Sequence, residues 1–319
     1  MSRLPHAAPL SWPSESTDLP RDLLERTALN SLLGQEFPNA SGELSPIEGG
    51  RSAAERQLSA IDAKRYGRSR NHLNGSVTRL SPYIRHGILT LAEVRYAVFS
   101  QLKHNNQGRD EGGKLINELG WREFWQRMWL DLGDRIDHDQ EDHKTGYAAA
   151  EYQQELPPDI REGRTQLACM DGFRNQLVSH GWLHNHARMW MAAYLVHWRR
   201  VHWRVGANWF LEHLLDGDPA SNHLSWQWVA SSFSHKPYFF NRQNLERYSN
   251  GIYCQECPSN ASCPFDRSYE QLEQQLFKVQ PAIREGSARR SSRSSSPKSA
   301  RSNRQSIQRS SAHPSTQRF

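Results

Sequence analysis

Between residues 181 and 228 the chain sets seven tryptophans among histidine, asparagine, arginine and aspartate side chains. That mixture suits a redox cofactor better than an ordinary apolar core. Helical spacing over residues 182–199 puts Asn185, Arg188 and Met189 on one face at i, i+3 and i+4, and Asp216, Asp218 and Asn222 follow on a glycine-punctuated segment. A buried Arg188 needs a carboxylate to offset its desolvation, and Asp216 is the expected partner; taken alone, the pair is also a plain internal ion pair. Residues 75–81, GSVTRLS, offer hydroxyls at Thr78 and Ser81, the guanidinium of Arg79 and backbone N–H groups facing a helix start. Such a loop can cradle a diphosphate, or on its own simply cap a helix. Cys254 and Cys257 form C-x-x-C, Cys263 follows six residues later, and Cys169 lies upstream. Clustered thiolates in a reducing compartment point to a Cys₄ metal site, with free or paired thiols as the plain alternative.

The elements that must carry these groups read as helices. Residues 52–66, 90–104, 111–131 and 172–200 show apolar positions at i, i+3 or i+4 among charges, and strand signals are scarce, so the fold class is all-α. Residues 1–45 read as a lead-in with one helix near residues 19–33, residues 46–250 as the helical domain, residues 251–280 as a cysteine-containing extension and residues 281–319 as a tail. Nine Lys or Arg against the single acidic Glu285 give the tail +8 in a chain of net charge +6, leaving the body at −2. Ser and Arg dominate this tail and large apolar residues are nearly absent, so it is expected to be disordered, serving as a nucleic-acid-binding arm or as a solvating extension. No apolar run in the 319 residues approaches the roughly 20 of a membrane span, and the N-terminus lacks the apolar centre of a secretory signal. The expectation is a cytoplasmic monomer.

Five ordered blocks carry a family resemblance: GSVTRLSPY from Gly75, INELGWREFW from Ile116, HNHARM from His184, DGDPASN from Asp216 and WQW from Trp226. Together they closely resemble the flavin-binding domain of DNA photolyases and cryptochromes over roughly residues 46–245. The resemblance implies FAD folded in a U within the helical domain. Val77, Thr78, Arg79, Leu80 and Ser81 would lie at its phosphates, Tyr66 at its adenosine end, and Arg188, Asp216, Asp218 and Asn222 at its ring and ribityl chain. Val77 stands where a hydroxyl residue is common. The family carries an α/β antenna domain ahead of the flavin domain, and the chain starts too late to include one, so it resembles short photolyase-like proteins.

Around the substrate cavity the resemblance matches Glu118, Trp121, Asn185, Met189 and Trp228, which in cyclobutane-dimer photolyases bind and wall in the flipped pyrimidines. Six-four photolyases carry His at the positions of Asn185 and Met189. His186 replaces an Arg that commonly contacts DNA, a change compatible with a preference for single strands. Trp226 and Trp203 match two members of the family's electron-transfer chain. The third has no Trp, so the chain would end at Tyr147 or Tyr152 or pass through Trp198 or Trp209, while Trp182, Trp190 and Trp209 fit best as core. The cysteines, Cys169, Cys254, Cys257 and Cys263, resemble those of iron–sulfur bacterial photolyases and imply a [4Fe–4S] cluster, with structural zinc as the alternative. The implied activity is light-driven, FAD-dependent splitting of pyrimidine dimers in DNA. A cryptochrome-like photoreceptor and a flavin-containing nucleic-acid-binding protein are the alternatives.

Overall fold

A computed structural model of the chain describes residues 26–36 and 44–278. Its helices are α1 (Arg26–Glu36), α2 (Arg51–Ser59), α3 (Ala63–Ser69), α4 (Ser81–Arg85), α5 (Leu91–His104), α6 (Gly113–Leu132), α7 (Pro158–Glu162), α8 (Ala168–His180), α9 (Asn185–Ala193), α10 (Trp203–His213), α11 (Pro219–Ala230), α12 (Arg242–Ser249) and α13 (Tyr269–Leu276). Among the described residues there is no strand, only an isolated bridge between Gln153 and Val201. The all-α expectation holds. The tail, residues 281–319, and the expected start of the first helix at residues 19–25 lie outside the described residues.

The helix expected over 90–104 is α5, fixed by reciprocal hydrogen bonds between Thr90 and Glu93 at its start. The 111–131 helix is α6. The 52–66 helix divides, because Asp62 turns the chain and caps α3 by accepting the Arg65 backbone N–H at 2.8 Å. The larger departure is at 172–200, where one expected helix becomes two. Gly181 ends α8 with φ 63°, and a Cβ there would meet Leu215 Cγ at 2.7 Å, so the position demands glycine twice over. His184 then restarts the chain as α9, its Nδ1 accepting the His186 backbone N–H at 3.1 Å, and α9 runs into a π-helical turn at Tyr194–Trp198.

Two apolar cores result. The main one gathers Phe173, Trp190, Trp203, Phe210 and Phe240 and reaches into the cysteine-containing extension through Phe265, all under 2% exposed. A smaller core joins α2 to α5 and the start of α6 through residues such as Ala54, Leu80, Val94, Val98 and Leu115. Trp182, Trp190 and Trp209 are core residues, as expected. In the main core α10 and α11 meet so closely that a Cβ on Gly206 would fall 2.3 Å from the Trp226 ring. Helix α6 bridges from the smaller core to a third cluster, Ile136, Ala220 and Leu224, against which Trp125 and Met128 pack. No helix among the described residues is long and apolar enough to cross a membrane.

Candidate functional site

The chemistry-bearing residues lie along the seam between the two larger cores. Helix α4, of the smaller core, is clipped to the loop between α10 and α11: Arg85 Nε donates to the Gly217 carbonyl at 2.5 Å and the His86 ring bonds the Leu215 carbonyl at 2.9 Å. The Leu73 backbone N–H donates to the Tyr248 carbonyl at 2.8 Å. These bonds bring the 75–81 loop up to the α9 and α11 starts. Within the loop Arg79 adopts φ 52°, unusual for a residue with a Cβ, and its guanidinium lies 4.9 Å from the Trp182 ring centroid. No side chain caps α4. The Thr78 hydroxyl accepts only a long bond, 3.4 Å, from the Leu80 N–H, so the helix-cap reading of the loop fails.

Arg188 and Asp216 form the expected pair. Arg188 Nη2 donates to both carboxylate oxygens, at 3.0 and 2.8 Å, and Nε donates to the Leu183 carbonyl at 2.8 Å. Sequence reasoning missed one residue here. His184 is buried, its Nδ1 caps α9, and its Nε2 has no partner. Burial, together with the guanidinium charges of Arg188, Arg79 and Arg70, pushes its pKa down to about 4. An uncompensated buried nitrogen facing three cations is costly unless an anion or acceptor joins it. Its place at the head of the HNHARM block was the one signal that could have flagged it. The donor set fits the diphosphate and polar edge of FAD.

On the seam's other wall, Glu118 of α6 pairs with Arg70 at 2.9 Å and lies 3.9 Å from Lys114 Nζ. Burial, then the Glu118 charge, pushes the neighbouring Tyr66 hydroxyl up to about 12. Thus Tyr66, Arg70 and Glu118 form one cluster, and Arg70 was not anticipated. Asp218 caps α11 through the Ala220 N–H at 3.3 Å and accepts Ser221 Oγ at 2.8 Å. Two α6 side chains, Gln126 at 2.7 Å and Arg122 at 3.2 Å, also bind it, so it is a structural hub as well as a site neighbour. Asn222 donates to the Ala207 carbonyl at 2.9 Å.

The expected substrate-side residues divide. Asn185, at the first turn of α9, is exposed and its amide lies 3.7 Å from Met189 Sδ, so these two are together. Trp121 is 41% exposed and stacks on Trp125, whereas Trp228 packs on Tyr238. His186 corrects the sequence reading: it is buried between Trp190 and Tyr248, with ring centroids at 4.5 and 4.8 Å, and burial takes its pKa down to about 3. It is a core residue, and its identity says nothing about strand preference. Trp226 and Trp203 are buried on α11 and α10, and Trp203 Nε1 donates to Asp139 at 2.6 Å.

The four cysteines converge. Cys169, Cys254, Cys257 and Cys263 line one small cavity together with Arg242, Tyr253 and Phe265. All four are free thiols. Burial raises the Cys169 and Cys263 thiols and pushes Cys254 up to about 11, so without a metal they are neutral.

A family model for the FAD binding domain of DNA photolyase matches residues 115–274. The deoxyribodipyrimidine photo-lyase of Streptomyces griseus is 32% identical over 157 residues, 49% of this chain and 32% of that protein. The same-named protein of Synechococcus sp. is 29% identical over 252 residues, 72% of this chain and 49% of its own. The chain spans about half or less of the length of these curated relatives. In fold it is similar to the crystal structure of Synechocystis sp. cryptochrome, with TM-score 0.59 at 23% identity, covering 76% of this chain and 53% of that one.

Proposed function

Because the chain belongs to the photolyase family of FAD-binding domains, we propose that it is a light-driven lyase that splits cyclobutane pyrimidine dimers in DNA. The observation that carries the reading is the polar seam, where the buried, unpartnered His184 Nε2 feels the charges of Arg188, Arg79 and Arg70, and Arg188 pairs with Asp216. Thr78, Ser81 and Tyr66 would hold the phosphate and adenosine parts of FAD, and Asn222, Asp216 and Asp218 the ring and ribityl parts, with Val77 and Leu80 contributing backbone. Held there in its reduced form, FAD would supply the light-driven electron-transfer chemistry, and the protein would supply the geometry. Glu118, Asn185 and Met189 receive the flipped bases, with Trp121 and Trp228 as apolar surface, and Trp226 and Trp203 carry electrons during photoreduction. Illuminating the reduced protein with dimer-containing oligothymidylate, and with the same lesion in duplex, tests the activity through recovery of thymine absorbance. No recovery from either substrate, with the flavin fully reduced, overturns it.

Glu118 sets the size of one effect. Glu118→Ala would leave Arg70, whose side chain is only 10% exposed, without its carboxylate, so Glu118→Gln is the cleaner change. It is expected to retain flavin and lower repair by about tenfold, since a weakened hydrogen bond to a flipped base costs roughly 1–2 kcal/mol. Single-turnover repair under saturating light measures it.

One observation favours the photoreceptor alternative. Glu118 Oε1 already pairs with Arg70, a contact that needs no DNA ligand. Under that reading Glu118→Gln changes neither DNA binding nor any repair signal, because there is none.

The cysteine cavity adds a second cofactor to the proposal. Four free thiols brought to one cavity support a [4Fe–4S] cluster held by Cys169, Cys254, Cys257 and Cys263. Protein purified without oxygen is expected to contain about four iron and four acid-labile sulfide per chain. Cys257→Ser should lose both and loosen residues 251–278 before the flavin domain, as hydrogen exchange would show. Stoichiometric zinc without iron would replace the cluster by a structural zinc site.

A further inference from the structure

Asp139 has no part in the flavin or substrate contacts, yet its carboxylate is bonded directly to a buried tryptophan. Its Oδ1 accepts the Trp203 indole N–H at 2.6 Å and the His143 Nε2–H at 3.0 Å, and Oδ2 lies 3.8 Å from His202 Nε2. Trp203 is fully buried, and His143 and His202 nearly so. The ligand atoms of Asp139, His143 and His202 lie within 4.8 Å of one another, as a metal site would require. The hydrogen bonds argue otherwise. His202 Nδ1 accepts the Arg204 backbone N–H at 3.2 Å and so caps α10, which leaves the proton on Nε2, facing the carboxylate. A metal on Nε2 would force that proton onto Nδ1 and break the cap. The cluster is a carboxylate surrounded by donors.

We propose that Asp139 is a fixed counter-charge for Trp203, stabilising the indole after it loses one electron and keeping its Nε1 proton in place, so that positive charge comes to rest on Trp203. This rests on the flavin reading above. The step balances as follows: one electron leaves Trp203, by way of Trp226, for the light-excited oxidised flavin, and no proton moves. The pair changes from a neutral indole beside an anion, net −1, to an ion pair, net 0, and the partly exposed carboxylate meets its new partner on the side where the buried indole excludes water.

An oxidised indole is an acid comparable in strength to a carboxylic acid, so its proton could cross the 2.6 Å bond. The donors around Asp139 decide against it. Burial works to raise the Asp139 carboxyl, but the hydrogen bonds from His143 and Trp203, with the His202 ring nearby, together outweigh it and hold the carboxyl far below the ordinary carboxylate range. Passing the charge outward is also disfavoured. Tyr152 is buried with its ring 5.0 Å from His143 and 6.3 Å from His202, but its hydroxyl bonds Thr145 Oγ1 at 2.9 Å, which is no base for the proton that an oxidised phenol must lose. Asp139 is therefore a positioning residue for charge, acting through Trp203.

The test is flash spectroscopy of the full chain loaded with oxidised FAD. After a blue flash the wild type should show the protonated tryptophan radical cation as the long-lived species, with no slowing in D₂O. Asp139→Asn keeps an acceptor for the indole N–H and removes the charge. It should speed charge recombination about tenfold and show the deprotonated radical in what remains. Asp139→Glu, which keeps the charge, should resemble the wild type. In a Trp203→Phe background Asp139→Asn should have no further effect, which separates charge from general misfolding. A deprotonated indole or tyrosyl radical as the long-lived wild-type species, or wild-type recombination in a flavin-loaded Asp139→Asn, would overturn the role of Asp139 and leave the flavin reading standing. A folded chain that takes up no FAD would instead overturn the reading beneath it.

Discussion

Asp216→Ala is expected to lower the melting temperature by roughly 6–12 °C and to give protein that emerges from gel filtration without flavin. Asp216 is 3% exposed at its side chain and Arg188 23%. Truncating the carboxylate leaves the guanidinium with the Leu183 carbonyl as its remaining acceptor, beside the charges of Arg70 and Arg79. Breaking a buried pair costs about 3–5 kcal/mol. Because Arg188 keeps some contact with water, about 3 kcal/mol is the better figure, and a domain of this size loses about 2–4 °C per kcal/mol. Adding Arg188→Met should recover part of the stability, since an apolar replacement of both partners removes the stranded charge, but it should not recover flavin. A single Asp216→Ala protein within 2 °C of the wild type and fully yellow would show that the pair is peripheral to both fold and cofactor.

A second large effect is expected from pH alone. His184, His186 and His197 are buried, and desolvation is the leading cause that holds their pKa values at about 4, 3 and 3. Unfolded, each titrates near 6.5. The unfolded chain therefore binds more protons below that value, so the stability these residues provide is complete above about pH 6.5 and falls as the pH drops toward 3–4. At pH 5 each costs about 2 kcal/mol and the three together about 6, comparable to the whole stability of many domains. Protonation would also cost His184 the acceptor by which it caps α9. Denaturant midpoints measured at pH 7 and pH 5 should differ sharply, with unfolding in water setting in near pH 5. His197→Gln should flatten the slope by about a third, and equal midpoints at the two pH values would refute the account. A bound diphosphate beside His184 would raise that one pKa, so flavin-loaded protein should resist acid further.

Much of this was legible in the sequence because it depends on local pattern. The apolar spacing that marks α5 and α6 is enough to form them, and the need of a buried arginine for a carboxylate finds Asp216 from Arg188 across 28 positions. The convergence of Cys169 with the three later cysteines followed from chemistry and resemblance rather than from spacing. What stayed hidden depends on who meets whom. Asp139 looks like any acidic loop residue until Trp203, 64 positions on, points its indole at it. Arg70 reads as one of several charges near a turn. His186 sits in a block whose resemblance suggests a surface role, and only the packing of Tyr248 against it shows a core ring. The break at residue 181 was missed because apolar periodicity runs straight through it; the glycine was the signal, and its positive φ the reason.

The seam between the two cores carries a consequence for the life of the chain in a cell. The smaller core is built from contacts among residues 53–115, and its ties to the main core include a few exposed bonds, such as Arg85 to Gly217 and His86 to Leu215. A ligand lying in that seam touches both sides and stabilises the closed form in proportion to its concentration over its dissociation constant. Newly made chains lacking it would open there first and meet proteases as partly unfolded molecules. The steady-state amount of this protein would then follow the supply of flavin, and riboflavin starvation would be felt as shortened half-life before any loss of transcript.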